Sequence, residues 1–131
     1  MHCGKNFPFR KQSSNLDISL QADMQDEQYL AILAEQLPKL LAAVQPDLVF
    51  YQAGVDVLRE DKLGKLALTA KGLQRRNNLV YEALAEKSIP TVLTMGGGYS
   101  VPLIHSVEAH ADVFLGTLQH QWPTATQSRM I

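Results

Sequence analysis

Two short apolar runs, each emptying into a glycine-bearing loop, constrain this chain more than any other feature. Leu48-Val49-Phe50-Tyr51 leads to Ala53-Gly54-Val55-Asp56, and Ile89-Pro90-Thr91-Val92-Leu93-Thr94-Met95 leads to Gly96-Gly97-Gly98-Tyr99-Ser100. Neither run alternates with polar residues, as a strand with one wet face would. Such runs suit strands covered on both faces, the situation inside a parallel sheet. Parallel neighbours need a crossover between them, and the intervening residues have the pattern of a helix.

Tyr29, Leu30, Leu33, Leu37, Leu40, Leu41 and Val44 recur at helical intervals and predict an amphipathic helix over 26–44. Pro38 falls inside it and is expected to kink or split it, because its ring removes a backbone donor. Thr69 can cap a second helix over about 70–86, with Leu73, Val80 and Leu84 turned inward. A third helix, about 101–120, is expected to carry Ile104, Val107, Ala111, Phe114 and Leu118 on one face and Pro102 in its first turn. Residues 1–15 are polar and irregular, whereas Leu16, Ile18 and Leu20 alternate as in a short half-buried strand. The tail from Pro123 is expected to be loose. The order β-α-β-α-β-α predicts an α/β fold, with helices packed on the faces of a parallel sheet.

Right-handed crossovers bring the C-terminal ends of the strands to one sheet edge, where open α/β folds bind ligands. That edge receives Asp56 from one loop and Tyr99 from the other. Asp56 is either a metal ligand or acid/base, being a hard anionic donor, or an aspartate that stabilises its own turn. The glycines before Tyr99 allow positive φ and a close approach to a substrate, so Tyr99 could donate to a developing oxyanion. A packed surface tyrosine fits the same pattern. No G-x-G-x-x-G or G-K-[ST] is present, so a nucleotide site ranks last.

The other chemistry-bearing residues point to no site. His105 and His110 are five apart, not three or four, and with His120 are expected on helix surfaces. His2 shows no ligand spacing either, and Cys3 has no activating base. Arg75-Arg76 is expected to be a solvated helix face. Twelve basic and 13 acidic side chains give a net charge of -1, without a basic stripe for nucleic acid or an anionic membrane. No apolar run approaches the ~20 residues of a membrane span, and residues 1–10 lack the apolar core of a signal peptide. A single cysteine and this composition lead to the expectation of a cytoplasmic domain.

Several blocks together resemble the C-terminal half of histone deacetylase and acetoin-utilisation-type proteins, closest to the bacterial and class IV-like branch. They are His2 with Asn6-Phe7-Pro8-Phe9-Arg10-Lys11, the stretch from Pro46 to Asp56, Asp61-Lys62-Leu63-Gly64-Lys65-Leu66-Ala67-Leu68-Thr69 with Gly72, and Gly96 to Ser100. The resemblance covers roughly residues 2–112. It implies a three-layer α/β/α arginase/deacetylase-like fold, of which 1–131 is one partial domain with about three strands and three to four helices. It makes Asp56 a zinc ligand, Tyr99 the residue that polarises the acetyl carbonyl, and Gly97 and Gly98 part of the acyl-lysine channel. Asp61 matches an aspartate expected to order the loop after Asp56. The implied reaction is hydrolysis of acetyl-lysine or a related acylated amine.

The family's Asp-x-His pair of zinc ligands and His-His general base have no counterpart here, since neither motif occurs in the chain. The resemblance places Met1 in mid-domain. The chain alone is therefore expected to bind zinc weakly or not at all and to be inactive. A sheet edge left uncovered is expected to drive self-association. The competing reading is a non-catalytic module that self-assembles or binds a partner.

Overall fold

The computed structural model describes residues 1–120 and 122. The expected loose tail from Pro123 lies outside them. The two apolar runs form β3, Val49–Gln52, and β4, Thr91–Thr94, which pair in parallel with Val49 opposite Thr91 and Gln52 opposite Thr94. Between them α2, Ala70–Glu86, makes the crossover. Its N-terminus is capped as expected: the Thr69 side chain accepts from the Gly72 N–H.

α1, Asp26–Val44, is a single helix that runs through Pro38. The proline costs it one internal donor but does not split it. Asp26, in its first turn, accepts from the backbone N–H and hydroxyl of Thr69 at 2.8 and 2.6 Å. One carboxylate thus ties the start of α1 to the cap of α2. A Cβ added at Gly72 would lie 2.0 Å from the Asp26 Oδ1. Gly72→Ala is therefore expected to lower stability by about 1–3 kcal/mol, read as a lower urea midpoint at unchanged slope.

The strand over Leu16–Leu20 shortens to β2, Ser19–Leu20, and does not join β3. It pairs in parallel with β1, His2–Cys3, a strand too short for any periodicity to announce. The expected single sheet of three strands is thus two parallel pairs. The α/β partial-domain character stands.

α3 is Ile104–Leu115, followed by a 3-10 turn over Gly116–Gln119, so Pro102 precedes the helix. Its buried residues are Ser106, Ala109 and Val113. Ile104, Val107, Phe114 and Leu118, expected inward, are exposed. The small side chains win the inner face because the helix packs close to a loop, with the Ser106 Cβ 3.5 Å from where a Gly98 Cβ would sit.

Tyr51 and Leu93 pack against both main core clusters, one with Leu73, Ala109 and Val113, the other with Leu41, Val80, Tyr81 and Leu84. All three helices therefore bury the same face of the β3–β4 pair. On the opposite face Phe50 and Val92 are register partners, 68% and 40% exposed.

Candidate functional site

The β3–β4 ladder continues past both strands. The Ala53 N–H donates to the Thr94 carbonyl at 3.0 Å and the Val55 N–H to the Gly96 carbonyl at 2.9 Å. These bonds zip the two glycine loops together, so Asp56 and the Gly97–Tyr99 turn meet at one edge. Gly97 and Gly98 have φ of 68° and 112°, a conformation glycine takes without strain. A Cβ on Gly97 would lie 2.5 Å from the Asp56 Cβ, so no other residue lets the turn press onto Asp56.

Asp61 fastens the arrangement. Its side chain is 7% exposed. One oxygen accepts from the N–H groups of Leu63 and Gly64 at 2.9 and 2.7 Å, and the other from the Tyr99 N–H at 2.7 Å. Reciprocal bonds from Lys62 N–H to the Tyr99 carbonyl and from Val101 N–H to the Glu60 carbonyl, both 3.1 Å, lie alongside. The Asp61–Gly64 turn also lies on the first loop: a Gly64 Cβ would sit 1.8 Å from the Asp56 carbonyl oxygen. Asp61 therefore links the loop bearing Asp56 to the loop bearing Tyr99, a wider role than ordering its own turn. Tyr99 itself is 57% exposed.

Arg76 is the residue that sequence reasoning misplaced. Arg75 does lie on the surface, paired with Glu27. Arg76 is 4% exposed and donates to the Gly54 carbonyl at 2.6 Å and to the Asn77 Oδ1. Its guanidinium also lies 5.9 Å from the centre of the Tyr51 ring. The signal was available, because Arg76 falls three after Leu73 and four before Val80 on the buried row of α2. His110 also departs from the surface expectation: its ring is half-buried behind the glycine turn, Nε2 3.4 Å from the Gly97 carbonyl. Cys3 is buried and free in β1.

Burial first, and then the nearby Asp61 charge, raise the Asp56 pKa above the usual carboxylate value, against a lowering by Arg76. A raised folded-state pKa means the fold favours the protonated acid, so Asp56 costs stability once pH rises through its titration. Asp56→Asn is expected to raise the melting temperature of the isolated chain at pH 7 and to lose that advantage near pH 3. Thermal denaturation at the two pH values checks it.

The sequence profile of the histone deacetylase domain matches residues 3–114. The chain belongs to the histone deacetylase family. An uncharacterized protein of Picosynechococcus is 47% identical over 111 residues, covering 85% of this chain and 37% of that protein. Histone deacetylase 2 of Arabidopsis thaliana is 40% identical over 73 residues, 56% of this chain and 19% of that one. Among solved structures, the HDA15 HD domain superposes with a TM-score of 0.63 at 23% identity, over 89% of this chain and 36% of that one. Acetylpolyamine aminohydrolase from Burkholderia pseudomallei also gives 0.63, at 22% identity, over 78% of this chain and 28% of that one. The deacetylase-family chain thus spans little more than a third, at most, of these proteins.

A catalytic zinc takes three protein ligands and keeps one open position. Among the described residues no group of three or more His, Cys, Asp or Glu could hold a metal. The donor set here, one carboxylate at the loop junction, does not by itself fit a zinc site. No helix among the described residues is long and apolar enough to cross a membrane.

Proposed function

We propose that this chain carries one part of the active site of a zinc-dependent deacetylase acting on acetyl-lysine or a related acyl amide. The observation that carries this reading is the clasp at the sheet edge, where one buried carboxylate, Asp61, secures the loops of Asp56 and Tyr99 together. Asp56 supplies one hard anionic zinc ligand; the remaining ligands and the general base come from outside these residues. Tyr99 donates its phenolic hydrogen to the acyl oxygen as negative charge develops there. Gly97 and Gly98 line the acyl channel, where a side chain would obstruct both Asp56 and the substrate. The reducing conditions of the cytoplasm suit the buried free thiol of Cys3.

Metal analysis of the purified chain tests this directly. The reading expects well under one zinc per chain and no acetate release from an acetyl-lysine peptide. Stoichiometric zinc, or turnover by the chain alone, would contradict it. A second reading, a non-catalytic self-associating module, is favoured by the exposed Phe50 beside the outer edge of β3. Its signature is a homo-oligomer in light scattering with no role for Asp56 or Tyr99.

A further inference from the structure

Arg76 is a buried cation with no ion-pair partner among the described residues, whose salt bridges are Lys39–Glu35, Arg59–Glu60 and Arg75–Glu27. Its donors divide between two oxygens. Nε and Nη2 both donate to Asn77 Oδ1, at 3.0 and 2.8 Å, and Nη1 donates to the Gly54 carbonyl at 2.6 Å. The Tyr51 hydroxyl donates to the same Asn77 oxygen at 2.9 Å. Asn77 thus aims the rigid guanidinium fork, and one prong is left for Gly54.

The Gly54 carbonyl belongs to the same peptide unit as the Val55 N–H, which donates to the Gly96 carbonyl at 2.9 Å. One planar unit is therefore gripped at both ends, by Arg76 at its oxygen and by the second loop at its nitrogen. Gly54 itself offers little resistance to rotation of that plane, since it lacks the Cβ that restricts other residues. Asp56 follows one residue later, and its Oδ1 lies 3.0 Å from where a Gly54 Cβ would sit. Rotation would break the Val55 bond and loosen the seat of Asp56 against Gly97.

We propose that Arg76 is a positioning residue of this site, acting through the Gly54–Val55 peptide to hold Asp56 in one orientation toward the reacting groups. A cation suits the place better than a neutral donor. Its hydrogen bond to the carbonyl is about twice as strong, and its charge opposes the rise in the Asp56 pKa that burial and Asp61 cause. The consequence for catalysis rests on the deacetylase reading above; the lock on the peptide does not.

Hydrogen exchange of the full 131-residue chain tests the lock. Arg76→Met keeps much of the side chain's length and removes every donor. The Val55 amide should then exchange about ten- to a hundredfold faster, the worth of one charge-assisted hydrogen bond, and interior amides of α2 should change far less. Arg76→Lys keeps the charge but lacks the fork, so it should fall in between; it carries the test if Arg76→Met does not fold. Val55 exchange at the native rate in a folded variant, or a rise shared equally by α2, would overturn the proposal. Catalysis is read in a chimera in which this chain replaces the matched segment of its Picosynechococcus relative. There Arg76→Met should lower kcat about 10²-fold, the cost of a small misplacement, with KM within about twofold. Arg76→Lys should recover part of that loss. Unchanged kcat in a folded Arg76→Met chimera would end the positioning role. A chimera inert before any substitution would instead count against the deacetylase reading, and the exchange rates would still decide the lock.

Discussion

Tyr99→Phe is expected to lower kcat about 10²- to 10³-fold in a chimera in which this chain replaces the matched segment of its Picosynechococcus relative. Zinc content and KM should stay near those of the unsubstituted chimera. The separation follows from how the residue is held. Asp61 fixes the Tyr99 backbone at its N–H, and the Tyr99 hydroxyl makes no hydrogen bond among the described residues. Removing that oxygen breaks no hydrogen bond among the described residues, whereas on the proposed reading it removes the donor to developing charge. Steady-state kinetics with parallel zinc analysis check it. Unchanged kcat would remove Tyr99 from the chemistry.

Asp61→Ala should have the largest effect on the isolated chain. Three backbone donors, at Leu63, Gly64 and Tyr99, lose their acceptor together. The bonds are part-buried and their acceptor is charged; at about 1.5–3 kcal/mol for each such bond, the loss approaches the ~5–15 kcal/mol that keeps a domain folded. The expected outcome is a chain largely unfolded at room temperature, or one whose two loops have separated. Asp61→Asn keeps one accepting oxygen and should fall in between. Urea denaturation measures the first effect. Hydrogen exchange at the Tyr99 amide measures the second, and protection as strong as in the unsubstituted chain would contradict the clasp.

The elements most legible in the sequence are those whose pattern is local. α1 and α2 follow from apolar spacing, and the α2 cap from Thr69, because side chains three and four apart share a helix face whatever the tertiary context. β3 and β4 follow from unbroken apolar runs. The edge that brings Asp56 beside the glycine turn follows from handedness alone. Pairing was less legible: β2 finds β1, two residues long, and no composition signals a strand that short. The inner face of α3 was hidden because the helix carries a larger apolar stripe, Ile104, Val107, Phe114 and Leu115, that stays exposed, so close approach to Gly98 rather than hydrophobicity selects Ser106, Ala109 and Val113. Arg76 was obscured by residue type. A charge beside another charge suggests a wet surface, but the carbonyl of Gly54 and the amide of Asn77 satisfy its donors inside.

The same chimera gives the most direct measurement of whether this chain holds the carboxylate and phenol of a deacetylase site. It should bind one equivalent of zinc and release acetate from an acetyl-lysine peptide or an acetylated amine, and Asp56→Asn should abolish both. A chimera whose zinc content and turnover are indifferent to Asp56→Asn would contradict the account.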